Sequence, residues 1–306
     1  MENLPLRDFQ SNPTKITNAL RQIRSTLKVD GLCCYFDSFL SAEALGCMRE
    51  WRPDGSWTVT SAPSAGIEEL IEKRGSLDQI SGKGSMKVAC EVLQRLRVML
   101  KDEPALMVGV AGPHTLARQV AGGKESAEKE AASSDLLDFA AEVTGEVAKS
   151  FLEAGADILM FLEQDLPDFA TAFYEHWTSL LAPILNVVQF YEALPVLLLS
   201  ESAIANERLP SLLGDAWSGA WCPLLTTAQL QHWNLWSARG GYPGLAVNFD
   251  EPRDAQGPLG STERIGDLAA GRILLTSAGD VSSSVDLKHL AATLGRLRED
   301  MAKSWP

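Results

Sequence analysis

The sequence predicts an α/β fold in which buried parallel strands alternate with crossover helices. Three observations carry that expectation: seven short apolar runs along 306 residues, amphipathic stretches between them, and no linker-like composition to divide the series. The chain therefore reads as one domain over residues 1–306. Pattern alone does not separate an open doubly wound sheet from a closed barrel. In either, ligands meet the carboxyl ends of the strands.

Taken in order, the strand candidates are Leu32–Phe36, Ala105–Val110, Ile158–Leu162, Val196–Leu199, Trp217–Trp221, Leu245–Phe249 and Ile273–Thr276. Each is a continuous apolar run rather than a polar/apolar alternation, as strands covered on both faces require. Between them, Lys87–Leu100 sets Val88, Val92, Leu96 and Met99 on one helical stripe. Leu136–Phe151 does the same with Phe139, Val143, Val147 and Phe151. A last helix, Asp286–Met301, follows the cap-forming serines Ser282, Ser283 and Ser284. The patch Gly122–Ser134 reads as a flexible loop or an exposed helix start.

A net charge of −13 and a pI near 4.8 disfavour nucleic acid and anionic membranes as partners, since both demand Lys/Arg patches. The start lacks an apolar signal core, and no apolar run approaches the roughly 20 residues that span a bilayer. Five cysteines show no CxxC spacing, and Cys33 and Cys34 sit in an apolar run as small hydrophobes. A cytoplasmic location is the expectation. No GxGxxG or GxxxxGK[ST] follows a strand, which argues against nucleotide binding.

The strand ends carry Asp37; His114 and Arg118; Glu163, Gln164 and Asp165; Ser200, Glu201 and Ser202; Asn248, Asp250 and Glu251; Ser277 and Asp280. Any one of these serves equally as a cap or loop residue. Several carboxylates around one mouth would raise one another's pKa, a mark of acid/base sites. His114 follows a Gly-Pro turn and is either a ligand contact or a surface residue. His176, His232 and His289 fall in helical segments. No Cys/His cluster exists for a structural zinc, and no metal or cofactor is expected. Trp217, Trp221, Trp233 and Trp236 crowd one stretch, as core or as an aromatic pocket wall.

Read against known families, VDGLCCYFDSFLSAEALG from Val29 to Gly46 resembles the "LDAAIIFSDIL…ALG" segment of the uroporphyrinogen decarboxylase family, whose relatives include the corrinoid and coenzyme M methyltransferases. GPHTLA from Gly112 is similar to its "GxPWTL" turn. EAGAD from Glu153 with Phe161, Leu162 and Glu163 is similar to "EAGA…FDSW". AVNFDEP from Ala246 resembles "GNLDP", and GRILLTSAG from Gly271 resembles the final strand and Gly loop. The resemblance implies a TIM-type (β/α)8 barrel. It also implies that Asp37 occupies the position that binds pyrrole N–H groups in the decarboxylases. The family's Arg-bearing "RQAGRY" strand has no counterpart, so the chain is expected to begin just downstream of it. The family's tyrosine falls at Gln119, its Asp-Ser pair at Glu163 and Gln164, and its late histidine at Ala278. The methyltransferase zinc ligands fall at Ser200, Ser202 and Ala278, which do not bind zinc.

Three readings follow. The first is an enzyme acting on a small molecule other than the porphyrinogen, by lyase or methyl/group-transfer chemistry. Asp37 and Glu163 would be its acid/base pair, with His114 as a further catalytic group. Gln119, Gln164, Ser200, Glu201, Ser202, Asn248, Asp250 and Ser277 would bind substrate. The second is a non-catalytic ligand-binding or partner subunit, and the third a working uroporphyrinogen decarboxylase. An unfilled first-strand position exposes a sheet edge, which predicts a homodimer or a hetero-complex.

Overall fold

The structure is a computed structural model. It describes residues 6–51, 57–61, 67–72, 74–101, 103–122, 134–163, 166, 172–205, 209, 222–226, 244–247, 274–277 and 285–304. Two compact units emerge, one of residues 1–21 and 30–198, the other of residues 22–29 and 199–306.

The first unit opens with helices α1 (Leu6–Gln10) and α2 (Pro13–Leu27), the latter running on into the second unit. Strand β1 (Gly31–Phe36) and the short helix α3 (Leu40–Ala44) follow. An antiparallel hairpin, β2 (Met48–Trp51) with β3 (Trp57–Ser61), comes next, and no sequence pattern had pointed to it. Helix α4 (Ile67–Glu72), a 3₁₀ stretch (Arg74–Gly82) and α5 (Gly84–Leu100) lead to β4 (Ala105–Ala111) and α6 (Pro113–Val120). Then come α7 (Ser134–Glu153), β5 (Ile158–Glu163), α8 (Ala172–Phe190) and β6 (Leu194–Leu199). The strand order is β1, β4, β5, β6, and β4 runs parallel to both β1 and β5.

The apolar runs become strands because both faces are covered. Leu106, Val108 and Val110 of β4, and Leu159 and Phe161 of β5, are at most 2% exposed. The amphipathic stripes close over them. Val92, Leu93 and Leu96 of α5, and Phe139, Val143, Val147 and Phe151 of α7, are buried, as are Trp177, Leu181, Leu185 and Val188 of α8. On the other sheet face, Phe36 and Leu162 lie over Gly109, where a Cβ would meet Phe36 Cδ2 at 2.6 Å. That face is more open: Phe36 is 53% exposed, and Cys33, which shares it, is exposed as well. Cys33 is thus not the buried small hydrophobe its sequence context suggests. Cys34 is, and burial pushes its thiol pKa far up.

The amino-terminal ends of these strands are tied by one polar node. Helix α7 stops at Gly155, whose φ of +102° suits a residue without Cβ. Gly155 N–H donates to Leu152 O and Ala156 N–H to Phe151 O, a paired helix stop. Arg97 reaches in from α5 to donate to Gly155 O at 2.6 Å and to Asp157 Oδ2 at 2.5 Å. The same Asp157 oxygen accepts Leu106 N–H at 2.7 Å, so one carboxylate starts the β4–β5 register.

The second unit contains α9 (Glu201–Ile204) and strands β7 (Cys222–Thr226), β8 (Gly244–Val247) and β9 (Leu274–Ser277), with α10 (Leu287–Ser304) at its end. These three strands are parallel in that order. Its strand after α9 is Cys222–Thr226, while the expected strand Trp217–Trp221 lies outside the described residues. Among the described residues no helix is long and apolar enough to cross a membrane.

Asp157→Ala is expected to lower stability by about 1–3 kcal/mol, because it leaves the Leu106 N–H without its acceptor and removes the ion pair with Arg97. Urea unfolding of the two proteins checks this, and an unchanged midpoint would remove the node's role in register.

Candidate functional site

Glu163 ends β5, and the side chain before it, Leu162, lies on the open face over Gly109. Alternation along a strand therefore sends Glu163 to the opposite, helix-covered face. There it is fully buried, at 0% exposure. Four donors close on its carboxylate. His114 N–H donates to Oε1 at 3.2 Å and Trp177 Nε1–H to Oε1 at 2.8 Å. Thr115 N–H donates to Oε2 at 2.9 Å and the Thr115 hydroxyl to Oε2 at 3.0 Å.

Two of these donors are orphan N–H groups from the first turn of α6, so Glu163 caps that helix from a neighbouring strand. The GPHTL string builds the cap: Gly112 is the entry residue and Pro113 occupies the first helical position. Gly112 is needed for space, since a Cβ there would lie 2.4 Å from the Glu163 carboxyl carbon. Burial pushes the Glu163 pKa up from 4.5 to about 7, while the four donors pull it back toward ionisation. Among the described residues no cation pairs with it. Tyr174, edge-on to Trp177 with ring centroids 5.4 Å apart, has its own pKa raised by burial and by the Glu163 charge.

His114 is 5% exposed, so the surface alternative for this residue falls away. Its backbone N–H belongs to the Glu163 cap. Glu163 itself is sealed at 0% exposure on the helix-covered face. It serves α6 and α8 from behind the sheet.

Asp37 sits just past β1, half-buried, with Oδ1 accepting Phe39 N–H at 3.0 Å. That Asx turn fixes the carboxylate over its own loop. Gln119, 8% exposed near the end of α6, donates Nε2–H to Ser38 O at 3.1 Å. Helix α6 thus touches both places: its first turn rests on Glu163, and its last holds the turn that carries Asp37.

Gln164, Asn248 and Asp250 lie outside the described residues, as do Asp165, Glu251, Asp280, His232, Trp217, Trp221, Trp233 and Trp236. Ser200, Glu201 and Ser202 fall at the β6–α9 junction and Ser277 ends β9, all in the second unit. His176 bonds Asp138 at 2.7 Å, half-exposed, and His289 is exposed. Among the described residues no group of three His, Cys, Asp or Glu side chains comes together as metal ligands would.

Thr115, Trp177 and the Gln119–Ser38 bond were not foreseen. The GPHT turn marks a helix start, and from that a buried cap partner was inferable. Trp177, 14 residues beyond Glu163, had no such signal.

A family model described as uroporphyrinogen decarboxylase matches residues 1–192, a segment that contains Asp37, His114, Gln119 and Glu163. Among curated proteins, the uroporphyrinogen decarboxylase of Prochlorococcus marinus is 27% identical, over 44% of this chain and 44% of that protein. The chain therefore matches less than half the length of that relative. Among solved structures, a methyltransferase from Methanosarcina mazei superposes with a TM-score of 0.69 at 15% identity, covering 96% of this chain and 88% of that one. That likeness shows the fold, an α/β fold of TIM-barrel type.

Gly112→Ala is expected to cost about 1–3 kcal/mol, because a carboxylate held by four donors has nowhere to retreat; thermal unfolding reads it. Glu163 binds its proton more tightly folded than unfolded. Its contribution is therefore full below pH 4.5 and lost as pH rises through about 7. Relative to Glu163→Gln, the wild type should lose on the order of 3 kcal/mol between pH 4.5 and pH 8. Urea titrations at the two pH values check this, and a pH-independent difference would refute it.

Proposed function

Because the chain belongs to the uroporphyrinogen decarboxylase family, we propose that it is a decarboxylase-like enzyme acting on a small molecule other than the porphyrinogen, by lyase or methyl/group-transfer chemistry. The observation that carries this reading is Asp37. It lies within the matched segment, just past the carboxyl end of β1, with its carboxylate oriented by Phe39 N–H. A carboxylate so held accepts a hydrogen bond from a substrate N–H or O–H and takes up or returns a proton at the reacting atom. Glu163, at 0% exposure and with four donors on it, holds α6 rather than touching substrate. The sequence-based acid/base pair is accordingly reassigned: Asp37 meets the substrate, and Glu163 supports it. His114 and Gln119 lie on that helix, and Gln164, next after Glu163 in the sequence, remains a proposed substrate contact.

The charge balance supports a substrate other than the porphyrinogen. A net charge of −13 disfavours a polycarboxylate as substrate. A second reading, a ligand-binding or partner subunit, is favoured by the internal commitment of Glu163 and the His114 backbone, which leaves fewer acid/base groups for chemistry. Strand β1, first in its unit's strand order, is where a partner or a second copy would add.

Incubation with uroporphyrinogen should yield no coproporphyrinogen; its formation would replace this proposal with ordinary family activity. Once a substrate is found by screening, Asp37→Asn should lower kcat/KM by roughly 100-fold or more. Undiminished turnover would move the chemistry away from Asp37.

A further inference from the structure

The bonds of α6 join two strand ends in series. Glu163 of β5 holds its first turn through His114 and Thr115, and Gln119 at its far end holds Ser38, beside Asp37 of the β1 loop. The helix has eight residues, about 12 Å in length. All but Arg118 are buried, so it moves as one body or not at all.

The Gln119 amide points to a dedicated role. Its Oε1 is buried without a hydrogen-bond partner, a cost that an apolar side chain would avoid. What the amide does is donate to Ser38 O. On the other side, the Glu163 carboxylate has all four acceptor positions in use. Adding a proton converts one acceptor position into a donor, so one of the four bonds must break or reverse. Trp177 and the two backbone N–H groups cannot reverse; only the Thr115 hydroxyl can. Either response loosens the seat of α6. Among the described residues, Tyr174 from α8 is the titratable side chain that feels the Glu163 charge, while His114 from α6 meets it through its backbone N–H.

We infer that Glu163 and Gln119 are positioning residues for Asp37, and that the protonation of Glu163 is transmitted through α6 to the aim of the Asp37 carboxylate. This deepens the functional reading above, since it assumes that Asp37 is the group whose aim matters. The pKa of Glu163, pushed by burial to about 7, sets the range in which the transmission operates.

The test reads the carboxyl groups directly and uses no substrate. Protein labelled with ¹³C at the Asp carboxyl carbons and ¹⁵N at the Trp indoles is titrated from pH 5 to pH 9. Asp37→Asn and Trp177→Phe assign the two signals. The Trp177 indole N–H should shift with a midpoint near pH 7, reporting Glu163, and the Asp37 carbon should show a step at the same midpoint. In Gln119→Met, which keeps volume and removes the donor, the Asp37 step should vanish while the Trp177 step stays. Gln119→Leu, which likewise removes the donor and adds no titrating group, should behave like Gln119→Met and serves if the latter does not fold. An Asp37 carbon with no step at the Trp177 midpoint, or a step that persists undiminished in the Gln119 variants, overturns the inference. Because no turnover is measured, failure here leaves the role of Asp37 in chemistry standing. Failure of the Asp37→Asn turnover test leaves this coupling standing.

Discussion

A carboxylate sealed inside the protein is the constraint around which the first unit is arranged. Removing a charge from water costs several kcal/mol, and only closely placed donors offset it. Glu163 finds four, two backbone N–H groups and two side chains, from three residues on α6 and α8. Each supplier is then constrained in turn. Gly112 has no room for a Cβ, Thr115 must offer both N–H and hydroxyl, and the Trp177 indole must lie flat enough to reach back to β5. A group that resembles a catalytic acid by its place at a strand end thereby acts as the keystone of a helix start.

The opposite end of the same strands is organised by a second carboxylate under milder conditions. Asp157 is partly exposed and paired with Arg97, so its ionised form is matched by a full charge as well as by the Leu106 N–H. The contrast has a simple cause. At the amino-terminal ends, water and a guanidinium share the work. Under α6, among the described residues, no guanidinium pairs with Glu163, and burial drives its pKa upward. The carboxylate under α6 consequently sits close to its midpoint near neutral pH.

Part of the family resemblance also proves to be about chain geometry. The EAGA segment is the stop of α7, built from Gly155 and its paired bonds to Leu152 and Phe151, and the ALG segment closes α3 at Gly46 with the same pair of bonds to Glu43 and Ala42. The GPHTL turn is the start of α6. Asp37 differs from these: it is half-buried just past a strand's carboxyl end and held by an Asx turn. Motif likeness alone does not sort these roles, because helix stops and ligand contacts both demand particular residues at particular spacings.

What the sequence by itself determined is the succession of elements. Continuous apolar runs such as ALMVGV and ILMFL can be buried only on both faces, and amphipathic stripes such as Phe139, Val143, Val147 and Phe151 can be helical only with that side inward. The short hairpin of Met48–Trp51 with Trp57–Ser61 escaped that logic, since four or five residues carry too little periodicity to announce a strand. Tertiary structure alone decided which way each strand-end side chain faces. A period of two means that one residue of register separates the open face of Leu162 from the covered face of Glu163, and that register is set by Asp157 and Leu106 at the far end of the strands. Local sequence holds the alternation but not its phase, which is why Glu163 reads as an acid at a mouth and folds as the anchor of α6.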